Sequence, residues 1–329
     1  MPMSTPVTTE YFPAPTELAP LPVPDEVGFM NLRRLAVIGG LTAAAAGLMP
    51  NMASAVSTTQ SADQASFASA RHHVTNMHFD DGRSFDMFAP TDNPKAIVIS
   101  MHGWTQNAGF NEKATGLAEV AKKNNLAVVF ANGEGSSWDA GVCCSYAVRN
   151  HVDDDSYLSD IISLETQEFA TTDANGEVHT PPVFLAGFSN GAMEAANYAS
   201  HHPDKIAGVF LDSGNLENKA KYLYTNVAMV RGDGDSMVPI KGGYNSLLDV
   251  ELAPDSKTLD AAKRGAMWQV VKDADVKPGV HQTIITNGER EIDYTEAVAM
   301  GHEWAHGGSG KPDATKLLTQ FISRVIRHK

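Results

Sequence analysis

Short apolar runs alternate with longer segments of mixed polarity along most of this chain. Apolar runs bounded by turn residues are typical of buried strands, and apolar residues three or four apart are typical of helices. The runs predict strands at 73–79, 84–89, 96–101, 126–131, 183–188, 206–211, 227–232 and 281–286. Helices are predicted at 111–123, 154–169, 190–201, 244–252 and 314–326. This alternation predicts an α/β fold with a mainly parallel, doubly wound sheet and helices on both faces.

The most informative motif joins the predicted strand 183–188 to the predicted helix that follows it. Residues 187–191 read Gly-Phe-Ser-Asn-Gly, which places Ser189 between the two elements. A serine in such a tight strand-to-helix turn projects its hydroxyl above the sheet, as in the nucleophile elbow of α/β-hydrolases. The alternative is an ordinary turn serine, so the rest of the chain has to supply the partners of a nucleophile.

A second motif follows the predicted strand 96–101. Residues 102–106 read His-Gly-Trp-Thr-Gln, and a His-Gly turn at this place in the fold exposes backbone N–H groups toward the scissile carbonyl. The backbone N–H groups of Trp104 and of Asn190, the residue after the serine, are therefore the predicted oxyanion donors. The alternative for His102 is a buried histidine that caps the strand.

Two later loops offer an acid and a base in the chain order Ser, Asp, His that this fold requires. Residues 231–239 read Arg-Gly-Asp-Gly-Asp-Ser-Met-Val-Pro, and the spacing favours Asp235 as the acid over Asp233. Residues 301–308 read Gly-His-Glu-Trp-Ala-His-Gly-Gly, where His302 is the predicted base and His306 competes with it. The glycines around these histidines disfavour a helix that would align them on a metal, and no metal site is predicted.

These motifs resemble the poly(3-hydroxybutyrate) depolymerase and feruloyl esterase family, whose members are α/β-hydrolase esterases related to carbohydrate esterase family one. The resemblance runs from about residue 74 to the C-terminus. Its further markers are Trp-Asp-Ala-Gly-Val-Cys-Cys at 138–144 and Val-Asp-Asp at 152–154. The family usually continues from its histidine with x-Trp-Pro-Gly, whereas here Trp304 is followed by Ala-His-Gly. The segment 241–279 matches no pattern and lies where substrate-covering elements could sit.

The resemblance implies a serine carboxyl-ester hydrolase that needs no cofactor, with Ser189, Asp235 and His302 as its catalytic residues. It also implies a disulfide between Cys143 and Cys144, to which two reduced buried thiols are the alternative. Feruloyl or acetyl esters of polysaccharides and hydroxyalkanoate oligoesters are the implied substrates. A serine peptidase on the same fold and a non-catalytic binding protein are the alternative functions.

Tryptophans 104, 138 and 304 fall on or near the predicted site loops, where their rings could stack on an aryl group or a sugar. Trp138 and Trp304, together with His102, are accordingly predicted substrate contacts, and packing in the core is the alternative. Thirty-nine acidic side chains outnumber 25 basic ones, for a net charge of −14. Such a surface repels nucleic acid and anionic lipid, so a neutral ester is the expected substrate.

The first 70 residues predict export rather than a further domain. Residues 1–29 are rich in proline and predict a disordered extension or a mis-assigned start, and 30–55 predict a signal peptide. A basic Asn-Leu-Arg-Arg, an alanine-rich apolar stretch and an Ala-Ser-Ala cleavage site carry that prediction. Residues 56–70 are expected to be a flexible mature N-terminus, and 71–329 a single catalytic domain. We therefore expect an extracellular or periplasmic protein with no stable membrane association after cleavage.

Overall fold

A computed structural model describes residues 73–327 of the 329-residue chain. The predicted extension at 1–29, the signal peptide at 30–55 and the flexible segment at 56–70 lie outside the described residues. The single catalytic domain predicted at 71–329 stays a prediction. Within 73–327, no helix is both long enough and apolar enough to span a bilayer.

The strands form one large sheet and two small hairpins. In chain order they are β1 (His73–His78), β2 (Ser84–Phe88), β3 (Ala96–Met101), β4 (Leu126–Ala131), β5 (Thr171–Thr172), β6 (Val178–His179), β7 (Val183–Phe188), β8 (Gly208–Asp212), β9 (Asn226–Gly232), β10 (Gly243–Asn245), β11 (Val250–Leu252), β12 (Gln269–Lys277), β13 (Val280–Thr286) and β14 (Glu291–Ala297). The large sheet has ten strands in the order β1-β2-β4-β3-β7-β8-β9-β14-β13-β12. Its centre, from β4 to β14, is parallel, and both edges are antiparallel.

Helices cover both faces of this sheet. In chain order they are α1 (Ala108–Thr115), α2 (Leu117–Asn124), α3 (Ser145–Asn150), α4 (Asp154–Glu168), α5 (Asn190–His201), α6 (Asp255–Lys263) and α7 (Ala314–Arg327). Apolar side chains of α4, α5 and α6 pack on one face of the sheet, and those of α1, α2 and α7 pack on the other. Because both faces are covered, the central strands are buried along their whole length, which explains their continuous apolar runs.

This topology confirms the predicted α/β-hydrolase fold. The runs at 96–101, 126–131 and 183–188 coincide with β3, β4 and β7. In a parallel sheet the loops that follow neighbouring strands meet at one edge. The loops after β7, β9 and β14 therefore converge, since these strands lie close together in the sheet order.

Two strands of the large sheet escaped prediction because their sequences are polar. In β14, Glu291 and Asp293 are buried, and both pair with Arg324 of α7. A buried strand whose charges are neutralised by a helix has no apolar run to reveal it. The other strand, β12, lies at the sheet edge and is mostly exposed.

Two helix predictions were wrong in different ways. The predicted helix at 244–252 is a hairpin of β10 and β11, because the Asn245 side chain accepts the N–H groups of Leu247 and Leu248 and so favours a turn. Asp249 next takes a φ of 53°, which ends any helical course. The predicted helix at 111–123 is two helices, α1 and α2, joined at Gly116 with a φ of 62°.

Glu217 ties the segment after β8 to the start of α6 and makes stability depend on pH. The Glu217 Oε2 accepts the Ala253 N–H at 2.9 Å, and Glu217 is only 5 % exposed. Burial raises the pKa of its carboxyl to about 7, although the Ala253 hydrogen bond and the Lys257 charge oppose that rise. A folded-state pKa above the unfolded one adds stability at low pH, and that stability is lost as pH rises toward 7.

We expect Glu217→Gln to change the free energy of unfolding more favourably at pH 8 than at pH 5, by about 2 to 3 kcal/mol. The amide keeps an oxygen for the Ala253 N–H but has no charge to bury. Urea unfolding of both proteins at the two pH values measures this difference. Glu119→Gln, at an exposed position on α2, is the control. An equal effect of Glu217→Gln at both pH values contradicts the prediction.

Candidate active site

Ser189 lies at the tight turn between β7 and α5. Its φ of 54° and ψ of −121° are an unfavourable backbone conformation for a residue with a side chain. The Ser189 N–H donates to the carbonyl of Asp212 on the neighbouring β8 at 2.9 Å, which holds the turn against the sheet. The hydroxyl is therefore raised above the carboxyl end of the sheet, at the start of a helix.

The glycines on either side of the turn are required by close backbone approaches. A Cβ at Gly187 would overlap the carbonyl of Gly191, and a Cβ at Gly191 would overlap the carbonyls of Met101 and His102. Strand, turn and helix thus approach each other more closely than any side chain permits. This explains the Gly-x-Ser-x-Gly spacing in physical terms.

His302, in the loop between β14 and α7, bridges Ser189 and Asp235. Its Nε2 lies 2.8 Å from Ser189 Oγ, and its Nδ1 lies 2.8 Å from Asp235 Oδ2. An ionised carboxylate only accepts hydrogen bonds, so Nδ1 carries the proton and Nε2 is free to accept the serine hydroxyl. The Phe188 ring packs on the imidazole, with ring centres 5.0 Å apart. This is the arrangement that lets an imidazole act as a general base toward a serine.

Asp235 is held in the loop after β9 as an ionised acceptor. Its Oδ1 accepts the N–H groups of Met237 and Val238, each at 2.9 Å, and its side chain is buried. Burial by itself raises the pKa of the carboxyl, but the hydrogen bond and charge offered by His302, with the Val238 N–H and the Arg231 charge, lower it below its ordinary value. One oxygen is thus fixed by the loop, and the other is left for the imidazole.

The two competing residues lie elsewhere. Asp233 accepts the backbone N–H of Ala299 and makes its contact with that loop rather than with His302. His306 is exposed, and its backbone pairs with Asp313. The structure therefore brings Ser189, Asp235 and His302 together, and leaves Asp233 and His306 outside the hydrogen-bonded chain.

The predicted oxyanion donors both lie at the serine. Trp104 lines the cleft beside Ser189, in a turn where Gln106 Oε1 accepts the Gly103 N–H at 3.0 Å. Asn190 is the first residue of α5, so its N–H has no acceptor within the helix. The Asn190 side chain accepts the Trp138 N–H and donates to the carbonyls of Trp138 and Cys143. Its backbone is thereby fixed, and its role as a donor stays a prediction.

The predicted substrate contacts at His102 and Trp138 were wrong, because both side chains are fully buried. His102 Nε2 accepts the Gly133 N–H at 2.9 Å, and Nδ1 bonds the Gly103 carbonyl at 2.8 Å. Burial lowers the pKa of this imidazole to about 4, so it is neutral at neutral pH. Trp138 Nε1 donates to the His102 carbonyl. These two side chains hold the loops behind the cleft instead of facing a ligand.

Trp304 was also wrongly predicted as a substrate contact. It is 7 % exposed, and its Nε1 donates to Thr315 Oγ1 at 2.9 Å. Its ring packs against Phe210 in the core between sheet and α7. The tryptophan after the predicted base therefore anchors its loop to the last helix.

A cleft of about 290 Å³ opens beside Ser189. Its walls combine apolar and sulfur-bearing side chains with polar groups from 103–106. The apolar and sulfur-bearing part consists of Trp104, Phe188, Met193, Met237, Val238, Leu248 and the Cys143–Cys144 disulfide. Among the described residues that line it, His302 is the one with an ionisable side chain, apart from the serine itself. The described lining of the cleft thus contains no aspartate, glutamate, lysine or arginine.

Sequence reasoning missed several of these lining residues. Met193 is the fourth residue of α5, and Leu248 comes from the β10–β11 hairpin in the segment that matched no pattern. The hairpin is fixed to the loop after β9 that carries Asp235, called the acid loop below. Asn245 Nδ2 donates to the Met237 carbonyl of this loop at 2.9 Å. Once the Ser189 turn is identified, a methionine in the first turn of the helix that follows it can be predicted to line the cleft. No sequence pattern predicted the β10–β11 hairpin or its contact with the cleft.

One group of metal-ligating side chains occurs within 73–327. Asp173, Glu177 and His179 lie close together on the β5–β6 hairpin, and all three are exposed. None of them lines the cleft at Ser189. They have no part in the arrangement described above.

Comparisons with known proteins agree with the fold. Residues 92–242 match the family described as "Serine aminopeptidase, S33". A protein of Nocardia uniformis subsp. tsuyamanensis, described as "Putative esterase NocK", is 27 % identical over 157 residues, which are 46 % of this chain. The matched stretch spans 43 % of that relative, so less than half of its length is represented here.

Solved structures of similar architecture include several esterases. An acetyl xylan esterase from Aspergillus awamori is 15 % identical with a TM-score of 0.47, over 67 % of this chain and 89 % of its own. Esterase PE8 is 17 % identical with a TM-score of 0.46, over 73 % and 97 %. A phospholipase/carboxylesterase from Dyadobacter fermentans DSM 18053 is 14 % identical with a TM-score of 0.49, over 77 % and 99 %.

Proposed function

We propose that this protein is a serine hydrolase that cleaves carboxylic ester bonds. The observation that carries the proposal is the single imidazole, His302, within 2.8 Å of both a strained serine and a buried carboxylate. A strained turn and a chain of hydrogen bonds that ends in a buried carboxylate converge on Ser189, which is what an activated nucleophile requires. The matched family and the esterase relative are consistent with hydrolase chemistry.

The proposed reaction proceeds through an acyl-serine. Ser189 Oγ attacks the ester carbonyl carbon while His302 Nε2 takes the hydroxyl proton, and Asp235 stabilises the imidazolium that forms. The carbonyl oxygen becomes an oxyanion, which the N–H groups of Trp104 and Asn190 stabilise. The bond to the alcohol oxygen then breaks, and the alcohol leaves with the proton from His302. Water, activated by the same imidazole, hydrolyses the acyl-serine and restores the hydroxyl.

The cleft favours neutral acyl or alcohol groups. Its mixed apolar and polar walls, which carry no acidic side chain and no lysine or arginine among the described residues, suit a hydroxyalkanoate oligoester, or a feruloyl or acetyl ester of a polysaccharide. We propose these as the substrate classes, in an extracellular or periplasmic setting. The net charge of −14 disfavours polyanionic substrates, because a strongly negative protein repels them at long range.

A serine peptidase is the second candidate, because the matched family is described as an aminopeptidase. An aminopeptidase must bind the positive α-amino group of its substrate, for which a carboxylate in the cleft is the usual partner. The described residues that line the cleft include no aspartate or glutamate. An ester is therefore favoured over a peptide with a free amino end.

The decisive experiment is labelling with a fluorophosphonate, read by intact mass. We expect one adduct on the wild-type protein and none on Ser189→Ala, because only an activated serine reacts. Ser145→Ala, which removes a serine next to the disulfide, should keep the adduct. Failure of the folded wild type to label contradicts the proposal and favours a non-catalytic binding protein.

Substrate class then follows from a matched panel. Methyl ferulate, an aryl acetate and hydroxybutyrate oligomers are compared by kcat/KM, together with an amide of the same acyl group. Turnover of the ester well above that of the amide supports the esterase. Preference for the amide overturns it in favour of the peptidase.

A further inference from the structure

Arg231 is a fully buried arginine that the proposed reaction does not use. It lies near the end of β9, four residues before Asp235, with a relative exposure of 0 %. Arginine is almost never fully buried unless its charge is paired. Here its Nε donates to Asp255 Oδ2 at 2.9 Å, and its Nη2 donates to the Val238 carbonyl at 2.7 Å. One guanidinium thus binds a carboxylate of α6 and the backbone of the acid loop at once.

The second of these bonds leads directly to the candidate active site. Val238 offers its carbonyl to Arg231 and its N–H to Asp235 Oδ1. The other oxygen of Asp235 binds His302, which in turn binds Ser189. From Arg231 to the serine, every step is a hydrogen bond of 2.9 Å or less.

We propose that Arg231 is a positioning residue, which sets the Asp235 loop at the height where the carboxylate meets His302. The inference rests on the proposed function, since Arg231 would hold Asp235, the acid of the proposed triad of Ser189, His302 and Asp235. Arg231 acts through Val238 and Asp235, and it touches neither the serine nor the cleft. The planar fork of arginine is needed because two donors must point to two fixed acceptors.

The far anchor of Arg231 is itself rigid. Asp255 is the first residue of α6 and is buried, and its Oδ2 also accepts the Tyr294 hydroxyl at 3.0 Å. The Asp255 N–H donates to the Ile240 carbonyl at 2.9 Å. The acid loop is therefore held by two hydrogen bonds. Arg231 binds the Val238 carbonyl, and Asp255, the partner of Arg231, binds the Ile240 carbonyl. Because one side of the guanidinium is fixed by Asp255, its other side sets the position of the Val238 carbonyl.

Electrostatics support the same role. The positive charge of Arg231 is one of the influences that favour the ionised form of Asp235. Asp235 must be ionised to hold Nδ1–H of His302 and to stabilise the imidazolium. The arginine thus places the carboxylate and also helps to keep it charged.

The first test is Arg231→Lys. Lysine keeps a positive charge for Asp255, but its single ammonium cannot reproduce the fork, so the bond to the Val238 carbonyl is lost. We expect kcat on the best ester of the panel to fall by about 10²-fold, as for a small misplacement of a catalytic group, with KM unchanged. The rate of fluorophosphonate labelling at Ser189 should fall in parallel.

Tyr294→Phe is the matched control. It removes a different hydrogen bond to the same oxygen of Asp255 and leaves the Arg231–Val238 bond in place. We expect its kcat and labelling rate to stay at the wild-type level, because Arg231 and the Asp255–Ile240 hydrogen bond still hold Asp255. Equal losses in Tyr294→Phe and Arg231→Lys would mean that any disturbance of the ion pair acts through general stability, and this would overturn the positioning role.

A double-mutant cycle separates positioning from stabilisation of the fold. If Arg231 works through Asp235, Arg231→Lys should have little further effect on kcat when Asp235 is already asparagine. An equal fold-loss in the Asp235→Asn and wild-type backgrounds overturns the inference. If Arg231→Lys does not fold, the pair Arg231→Met with Asp255→Asn removes both buried charges and still lacks the donor to Val238. The same loss of kcat is expected from it, and full activity of that folded pair overturns the proposal.

Fluorophosphonate labelling of the wild-type protein and of Arg231→Lys distinguishes a wrong role for Arg231 from a wrong hydrolase proposal. If wild-type protein does not label with the fluorophosphonate, the hydrolase proposal fails, and Arg231 has no triad to position. If wild-type protein labels and Arg231→Lys labels and turns over at the same rate, the hydrolase proposal stands and only the role of Arg231 is overturned.

Discussion

His302→Ala is expected to lower kcat on any ester that the protein hydrolyses by about 10⁶-fold, to a level near that of the serine variant. The imidazole is the only group within hydrogen-bond distance of Ser189 Oγ that the described residues provide as a base. Without it, the hydroxyl proton has no acceptor during attack, and the leaving alcohol has no donor. Steady-state hydrolysis of the best panel ester measures the loss, and thermal unfolding checks that the variant is folded.

His306→Ala is the matched control for this experiment. His306 lies in the same loop four residues later, but it is exposed and pairs with Asp313 through its backbone. Its removal should leave kcat near the wild-type value. Loss of activity in His306→Ala with activity retained in His302→Ala would move the base to His306 and refute the observed arrangement.

Asp235→Asn is expected to lower kcat by about 10⁴-fold while leaving the fold intact. The two loop N–H groups that bind Asp235 Oδ1 can bind the amide oxygen equally well. The amide nitrogen then faces His302 Nδ1 as a donor, which favours the tautomer with its proton on Nε2. That tautomer cannot accept the serine proton, and no negative charge remains to stabilise an imidazolium.

Asp233→Asn is the control for the acid. Its oxygen accepts the Ala299 N–H, which an amide oxygen can also accept, and it makes no contact with His302. We therefore expect near-normal kcat. A large loss in Asp233→Asn beside a normal Asp235→Asn would show that the acid is Asp233.

Much of the fold was predictable because its centre is a parallel sheet covered on both faces. Strands buried on both sides need continuous apolar runs, and such runs at 96–101, 126–131 and 183–188 match the observed strands residue for residue. The strands that were missed lack such apolar runs. Strand β14 is buried with its carboxylates paired to Arg324, so its sequence is polar where a run of apolar residues would be expected.

The candidate triad was predictable because its members occupy loops after strands, where the local sequence departs from both helix and strand patterns. Ser189, Asp235 and His302 each follow a strand and stand beside glycine or in a glycine-rich loop. Spacing within its loop favoured Asp235 over Asp233, whereas His302 was favoured over His306 by the family resemblance and by chain order. The structure brings the favoured member of each pair into the hydrogen-bonded chain.

The lining of the cleft was not predictable in the same way, since burial is a property of the whole fold. His102 and Trp138 stand at the right places in the sequence for ligand contact, yet other loops cover them completely. Leu248 reaches the cleft from a hairpin that resembled a helix in sequence. Tertiary packing decides which side chains of a loop face a substrate, and a single sequence carries little of that information.

The long spacing between the nucleophile and its base has a consequence for biosynthesis. Ser189 and His302 are 113 residues apart, and His302 follows β14, whose parallel partner is β9. Because synthesis runs from the N-terminus and domains fold as units, a growing chain carries the serine long before the histidine exists. On the proposed mechanism, the nascent chain cannot cleave esters before His302 has been synthesised. Hydrolytic competence arises in one late event, when almost the whole described region has been made.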